Sequence, residues 1–262
     1  MSLPLQPLDA RSFAFLLEQA EVVELGREGP KLWRLPDGDY VKRFARRRRL
    51  SSAAVLSRAE RFCHNAEQLA RRGIPAPQPL AAWRLDATGE SAVRYRPLEG
   101  ETLRALLAAA PPAQQAAILT DFFRFLAQLH ERGVLFRSLQ FGNVLRLPQG
   151  GHGLIDIADM RLQRRPLGPL ARLRNFRHLC HDARDWHTIA AFGWQRAATN
   201  YLEAARLPAP SRTLFRLGWR TVFLPRHGRT HRPVRRTLRK RLRNLFGTRR
   251  TEGQQHSALE DR

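Results

Sequence analysis

Apolar positions over the first hundred residues fall in short alternating runs, and beyond them they recur at helical spacing. Runs at 21–25, 31–35 and 40–44 are separated by Gly26-Arg27-Glu28-Gly29-Pro30 and Pro36-Asp37-Gly38-Asp39, turn chemistry that predicts an antiparallel meander. Ala59, Phe62, Cys63, Ala66, Leu69 and Ala70 then make one face of a helix, which Arg71-Arg72-Gly73 and Pro75 stop. Strands are predicted to return at 79–85 and 91–95. After Glu99-Gly100-Glu101 the period is helical, first over 103–109 and then in the stripe Ile118, Phe122, Phe125, Leu126 and Leu129, closing at His130-Glu131-Arg132-Gly133. A hairpin follows, with Val144-Leu145 and Leu154-Ile155 as arms and Pro148-Gln149-Gly150-Gly151 as its turn; two further helices are predicted over 172–202. The order predicts an α+β chain of two lobes: a small antiparallel sheet crossed by one helix (1–98), a mainly helical lobe (99–210), and then a tail (211–262).

Charge changes this picture mainly at the C-terminal end. The 262 residues carry 46 Lys+Arg against 23 Asp+Glu, a formal +23, and residues 212–250 supply 14 of the basic groups with no acidic one. Within that segment Val234, Leu238, Leu242, Leu245 and Phe246 form an apolar stripe flanked by arginines, with Pro233 before it and Gly247 after it. A basic amphipathic helix of this kind suits an anionic membrane surface, and Leu214, Phe215, Trp219, Val222, Phe223 and Leu224 upstream are candidates to enter the interface. A merely solvated, partly disordered tail is the next reading, and nucleic acid is the less favoured anionic partner. Two cysteines, Cys63 and Cys180, cannot make a disulfide framework, which fits a reducing compartment. The start of the chain, with Pro4, Pro7 and Asp9, lacks a basic and then apolar leader, and no stretch is long and apolar enough to span a bilayer.

The chemistry concentrates in Phe136-Arg137-Ser138-Leu139-Gln140-Phe141-Gly142-Asn143 and, past the hairpin turn, Ile155-Asp156. A loop Asn followed by an Asp at the end of an apolar strand can hold a hard divalent cation against phosphates, because such ions take oxygen ligands. Lys42, one of only three lysines, stands in the strand Tyr40-Val41-Lys42.

With Val41-Lys42, Gly73-Ile74-Pro75-Ala76-Pro77, Pro97-Leu98-Glu99-Gly100-Glu101-Thr102-Leu103, Leu129-His130-Glu131-Arg132-Gly133-Val134, residues 137–143 and Ile155-Asp156 in this order, the chain resembles the protein-kinase-like superfamily over about residues 20–190. It is similar in particular to the lipopolysaccharide core kinases that phosphorylate heptose or Kdo, and to the toluene-tolerance proteins grouped with them. The resemblance implies transfer of the γ-phosphoryl of ATP to a core sugar hydroxyl, with Mg²⁺ on Asn143 and Asp156. It also implies nucleotide contacts from Lys42, Gly26, Gly29 and the hinge Glu99, and a catalytic loop containing Arg137 and Ser138. The expected location is the cytoplasmic face of the inner membrane.

Two departures keep other readings open. The kinase loop H-R-D-L-x-x-x-N has its Asp base replaced by Ser138 and its His by Phe136. A serine hydroxyl is a poor base at neutral pH, so a nucleotide-binding pseudokinase or scaffold is an alternative to an enzyme. The helix Glu that should pair with Lys42 is also not evident, Glu60 and Glu67 being the candidates. Asp159 is expected to be a solvated turn residue. His178, Cys180, His181, Asp182 and His187 match no closed zinc pattern and are expected on a helix surface.

Overall fold

The computed structural model describes residues 3–26, 29–45 and 56–222. In chain order the small lobe comprises β1 (Leu5–Leu8), α1 (Ala10–Leu16), β2 (Glu21–Gly26), β3 (Gly29–Arg34), β4 (Tyr40–Phe44), α2 (Arg58–Ala70), β5 (Gln78–Leu85) and β6 (Ser91–Arg96). The large lobe comprises β7 (Glu101–Thr102), α3 (Leu103–Ala109), α4 (Pro112–Glu131), β8 (Val134–Phe136), β9 (Val144–Arg146), β10 (His152–Leu154), β11 (Met160–Leu162), α5 (Pro169–Leu179), α6 (Ala183–Phe192), α7 (Trp194–Ala204) and α8 (Ala209–Val222). This is the two-lobed kinase-like architecture that the periodicity predicts.

The small lobe is a six-stranded sheet in the order β1-β5-β6-β4-β3-β2, antiparallel except where β1 runs parallel to β5. Period-two alternation gives each strand two faces, and each face has its own helix. Trp33, Leu35 and Val41 pack under Phe13, Leu16 and Leu17 at α1. On the other face Phe44 and Tyr95 meet Phe62 of α2. The start of α2 is fixed by a capping box in which Ser57 Oγ accepts from Glu60 N and Glu60 accepts from Ser57 N.

The hinge between the lobes is held tightly. Gly100 has φ 143°, and a Cβ there would collide with the carbonyl of Arg146, so only glycine lets the chain pass this close to β9. Thr102 then caps α3 by accepting from Ala105 N.

Two expectations are corrected in the large lobe. The stretch predicted as two helices holds three, because Asp182 starts α6 and Gly193, at φ 100°, separates it from α7. The boundary expected near residue 210 also fails. α8 packs on α5, burying Phe215 and Trp219 against Phe176, so these two aromatics belong to the core and not to a membrane-facing tail. Phe223, Leu224 and the amphipathic stripe from Val234 to Phe246 lie outside the described residues.

Candidate active site

Lys42 projects from the central strand β4, between Leu32 on one neighbour and Val93 on the other. Its Nζ donates to Asp156 Oδ1 at 2.6 Å, which places the small-lobe lysine on the large-lobe acid. Asp156 follows β10 with φ 54°, the left-handed region where Asp and Asn are the most tolerated side chains after Gly. That conformation costs energy, and held strain of this kind gathers at functional sites.

Neither candidate helix glutamate meets Lys42. Glu60 is spent in the capping box and Glu67 pairs with Arg71. Helix α2 is tied to the Asp156 loop by a neutral group instead, as Asn65 Nδ2 donates to Ile157 O at 2.7 Å.

The loop over residues 137–143 and the Asp156 loop are stitched at both ends. Arg137 N donates to Asp159 O at 3.1 Å and Ile155 N donates to Asn143 O at 3.0 Å. Asn143 Nδ2 donates to Ser138 O at 2.7 Å, which fixes the amide so that Oδ1 is the atom left for a ligand. One anionic and one neutral oxygen donor, with a cation beside them, are a fitting set for a magnesium ion carried by a nucleotide, since that ion takes few protein ligands and completes its shell with phosphate and water. Among the described residues no group of three His, Cys, Asp or Glu side chains is placed to hold a metal. The guanidinium of Arg137 turns to Asp159, with 3.4 Å between Nη1 and Oδ1, so Asp159 is a partner of the loop arginine and not a free turn residue. Ser138 is half-buried at the position where the kinase motif has its base.

Gly26 and Gly29 face each other across the β2/β3 hairpin, and Gly29 has φ 97°. Glu99 lies exposed on the hinge.

Several residues that hold this site carry no signal in the local sequence. Asp185 on α6, 1% exposed, accepts from Phe141 N at 2.7 Å and from Arg104 at 2.8 Å. Burial raises its pKa, while the amide and the arginine work in the opposite direction. Asp182 adds a second carboxylate to Arg104 and also pairs with Arg184. The start of the loop is fixed by Asn175, which donates to Phe136 O at 2.6 Å and accepts from Phe136 N at 3.2 Å. His130 bridges Asn175 and Tyr201, and Arg172 donates to the Tyr201 hydroxyl. Burial pushes His130 down to about 3, so the ring is neutral: Nε2 donates to Asn175 and Nδ1 accepts from Tyr201. Every member of this buried chain is satisfied, which makes it a rigid base for residues 137–143.

A cavity of about 650 Å³ adjoins the loop at Phe141. Apolar side chains including Leu107 and Phe192 line it together with Arg104, Arg184 and Arg196, and Phe141 is two residues from Asn143.

The model of the phosphotransferase enzyme family (APH) matches residues 19–231, which takes in every element from β2 to α8. No curated protein matches the chain.

Proposed function

Since the chain belongs to the phosphotransferase enzyme family, we propose that it transfers the γ-phosphoryl group of ATP to a sugar hydroxyl of the lipopolysaccharide core, working at the cytoplasmic face of the inner membrane. The observation that carries this reading is the contact of Lys42 with Asp156 between the lobes, with Asn143 tied through its backbone carbonyl to Ile155, the residue before Asp156. Lys42 supplies a point charge for the α- and β-phosphates, and Asp156 with Asn143 Oδ1 would hold Mg²⁺. Bound there, the ion neutralises charge between the β- and γ-phosphates. Gly26, Gly29 and Glu99 border the nucleotide from the hairpin and the hinge. Arg137, paired with Asp159, positions the loop.

Ser138 removes the usual base, worth about 10²–10⁴ in rate. Phosphoryl transfer depends mainly on positioning and charge, so slow turnover is compatible with this site. In the cavity beside Phe141, Arg104 and Arg184 are paired with Asp182 and Asp185, and Arg196, over the Phe192 ring, is the cation that suits an acceptor sugar carrying an acidic group. The basic residues beyond α8 would hold the enzyme on an anionic leaflet.

The test is transfer of labelled phosphate from Mg·ATP to isolated core oligosaccharide, with Asp156→Ala as the control. Alongside it, Mg·ATP should raise the melting temperature, because a ligand of the native state stabilises it. A second reading, a nucleotide-binding pseudokinase, is favoured by Ser138 at the base position. A melting shift with Mg·ATP but no transfer to any core acceptor would select it. A salt-sensitive gel shift with DNA or RNA that ignores ATP would favour the nucleic-acid alternative.

A further inference from the structure

A groove of about 390 Å³ lies behind the hinge, between the loop that follows α2 and the β9/β10 hairpin. Arg124 reaches it from α4, Arg132 from the C-cap that follows α4 and Arg146 from β9, and one carboxylate, Asp121, stands among them. Asp121 is 3.4 Å from Arg124 and 3.6 Å from Arg146, long distances for ion pairs, while Arg132 donates to the neutral carbonyl of Gly73 at 3.2 Å. The wall therefore carries two positive charges in excess.

His152 lines the same groove. It is 7% exposed, its ring stacks on Phe125 with centroids 5.1 Å apart, and its Nε2 has no hydrogen-bond partner among the described residues. Buried polar atoms are nearly always paired, and this unpartnered ring nitrogen, itself closed to solvent, sits in the wall behind the arginines. Burial, with Arg146 nearby, pushes His152 down to about 4, which leaves the ring neutral at neutral pH.

We propose that this groove binds a phosphomonoester dianion, held by the guanidinium groups of Arg124, Arg132 and Arg146 with the His152 ring beside them. The match is one of charge and shape. A phosphomonoester carries roughly −1.5 to −2 at neutral pH, and planar guanidinium forks pair with its oxygens two at a time. Gly73 and Pro75 come from the small lobe and the remaining wall from the large lobe, so the ligand bridges both. Arg146 also packs its carbonyl against hinge Gly100, which puts the site one residue from the pivot of the lobes.

The experiment titrates inorganic phosphate and glycerol 3-phosphate into the full chain, following the His152 ring resonances by NMR and the affinity by calorimetry. Saturable binding of one phosphate that moves the His152 signals is expected. Arg124→Gln and Arg146→Gln, both at partly exposed side chains, should each weaken it by about tenfold without lowering the melting temperature. Displacement of the ligand by vesicles containing phosphatidic acid would identify a lipid headgroup as the source; no displacement would identify a soluble phosphate. Should the His152 signals stay fixed at saturating phosphate, or both variants bind as the parent does, the proposal is overturned. Arg146→Lys, which keeps the charge and loses the fork, should bind with intermediate strength.

Discussion

Lys42 and Asp156, 114 residues apart in the chain, stand 2.6 Å from each other where the two lobes meet. Their side chains are 15% and 40% exposed, so the pair contributes little to stability and matters for where it puts the two charges. Asp156→Asn keeps a residue that tolerates φ 54° and removes the charge. It should leave the denaturation midpoint nearly unchanged and lower magnesium-dependent turnover by about a hundredfold or more. Turnover at the parent level would remove Asp156 from the site.

Ser138→Ala should alter turnover little, because a hydroxyl without a proton acceptor gives no base catalysis. Ser138→Asp should raise it by about ten- to a hundredfold, as Asn143 already holds the backbone of residue 138 in place. A large loss in the alanine variant would give the hydroxyl a role of its own.

Asp185→Ala leaves the Phe141 amide without its acceptor, while Arg104 keeps Asp182. Stranding one buried donor costs about 1–3 kcal/mol, and the urea midpoint should fall accordingly. Asp185→Asn retains an oxygen for Phe141 N and should recover part of the loss. An unchanged midpoint in the alanine variant would contradict the anchoring role.

Acid should destabilise the fold through His130, His152 and His178. Burial lowers their native pKa values to about 3, about 4 and about 4, below the unfolded value of 6.5, so between those limits the unfolded chain binds more protons. This contribution is fully present above pH 6.5 and is lost as pH falls, each group adding up to about 1.4 kcal/mol per pH unit. Unfolding at pH 5 should take up roughly three protons at these histidines, measurable by calorimetry in buffers of different ionisation heat. No uptake would mean that the rings are already charged in the native state.

Truncation separates core from tail. Ending the chain after Pro210 strips Phe215 and Trp219 from the core, at roughly 3–5 kcal/mol for each large aromatic lost, and should leave no cooperative melting transition. Ending it after Val222 should preserve the transition and abolish salt-sensitive binding to acidic vesicles. Equal vesicle binding by the shorter and full-length chains would exclude the tail as the anchor.

The elements with a clear apolar period were legible in the sequence: the meander, α2, α3, α4 and the β9/β10 hairpin each answer to a local pattern. Lys42 and Asp156, both singled out by their sequence context, touch across the lobes, and Asn143 is bonded through its carbonyl to Ile155 N. β1 and α1 were missed because Leu5-Gln6-Pro7-Leu8 is short and contains a proline, and seven helical residues give too few turns to show a period. α8 was misread because its arginines, at 212, 216 and 220, join a long run of one charge. The spacing of Phe215 and Trp219, four residues apart on one helical face, was the available signal. Asp185, Asn175 and His130 act across separations of 39 to 81 residues, and no local pattern encodes such contacts.

The parallel seating of β1 on β5 imposes an order on folding. Leu5 pairs with Ala82, so the sheet edge closes only after a loop of more than seventy residues has been made and drawn in. Strand β1 is thus obliged to wait for β5, which is made later, and until it docks, all eight residues of β5 present an open edge on that side. The guard strand is short, and its pairing is of the non-local kind that forms slowly. A small lobe without β1 would offer this edge to the strand of another chain.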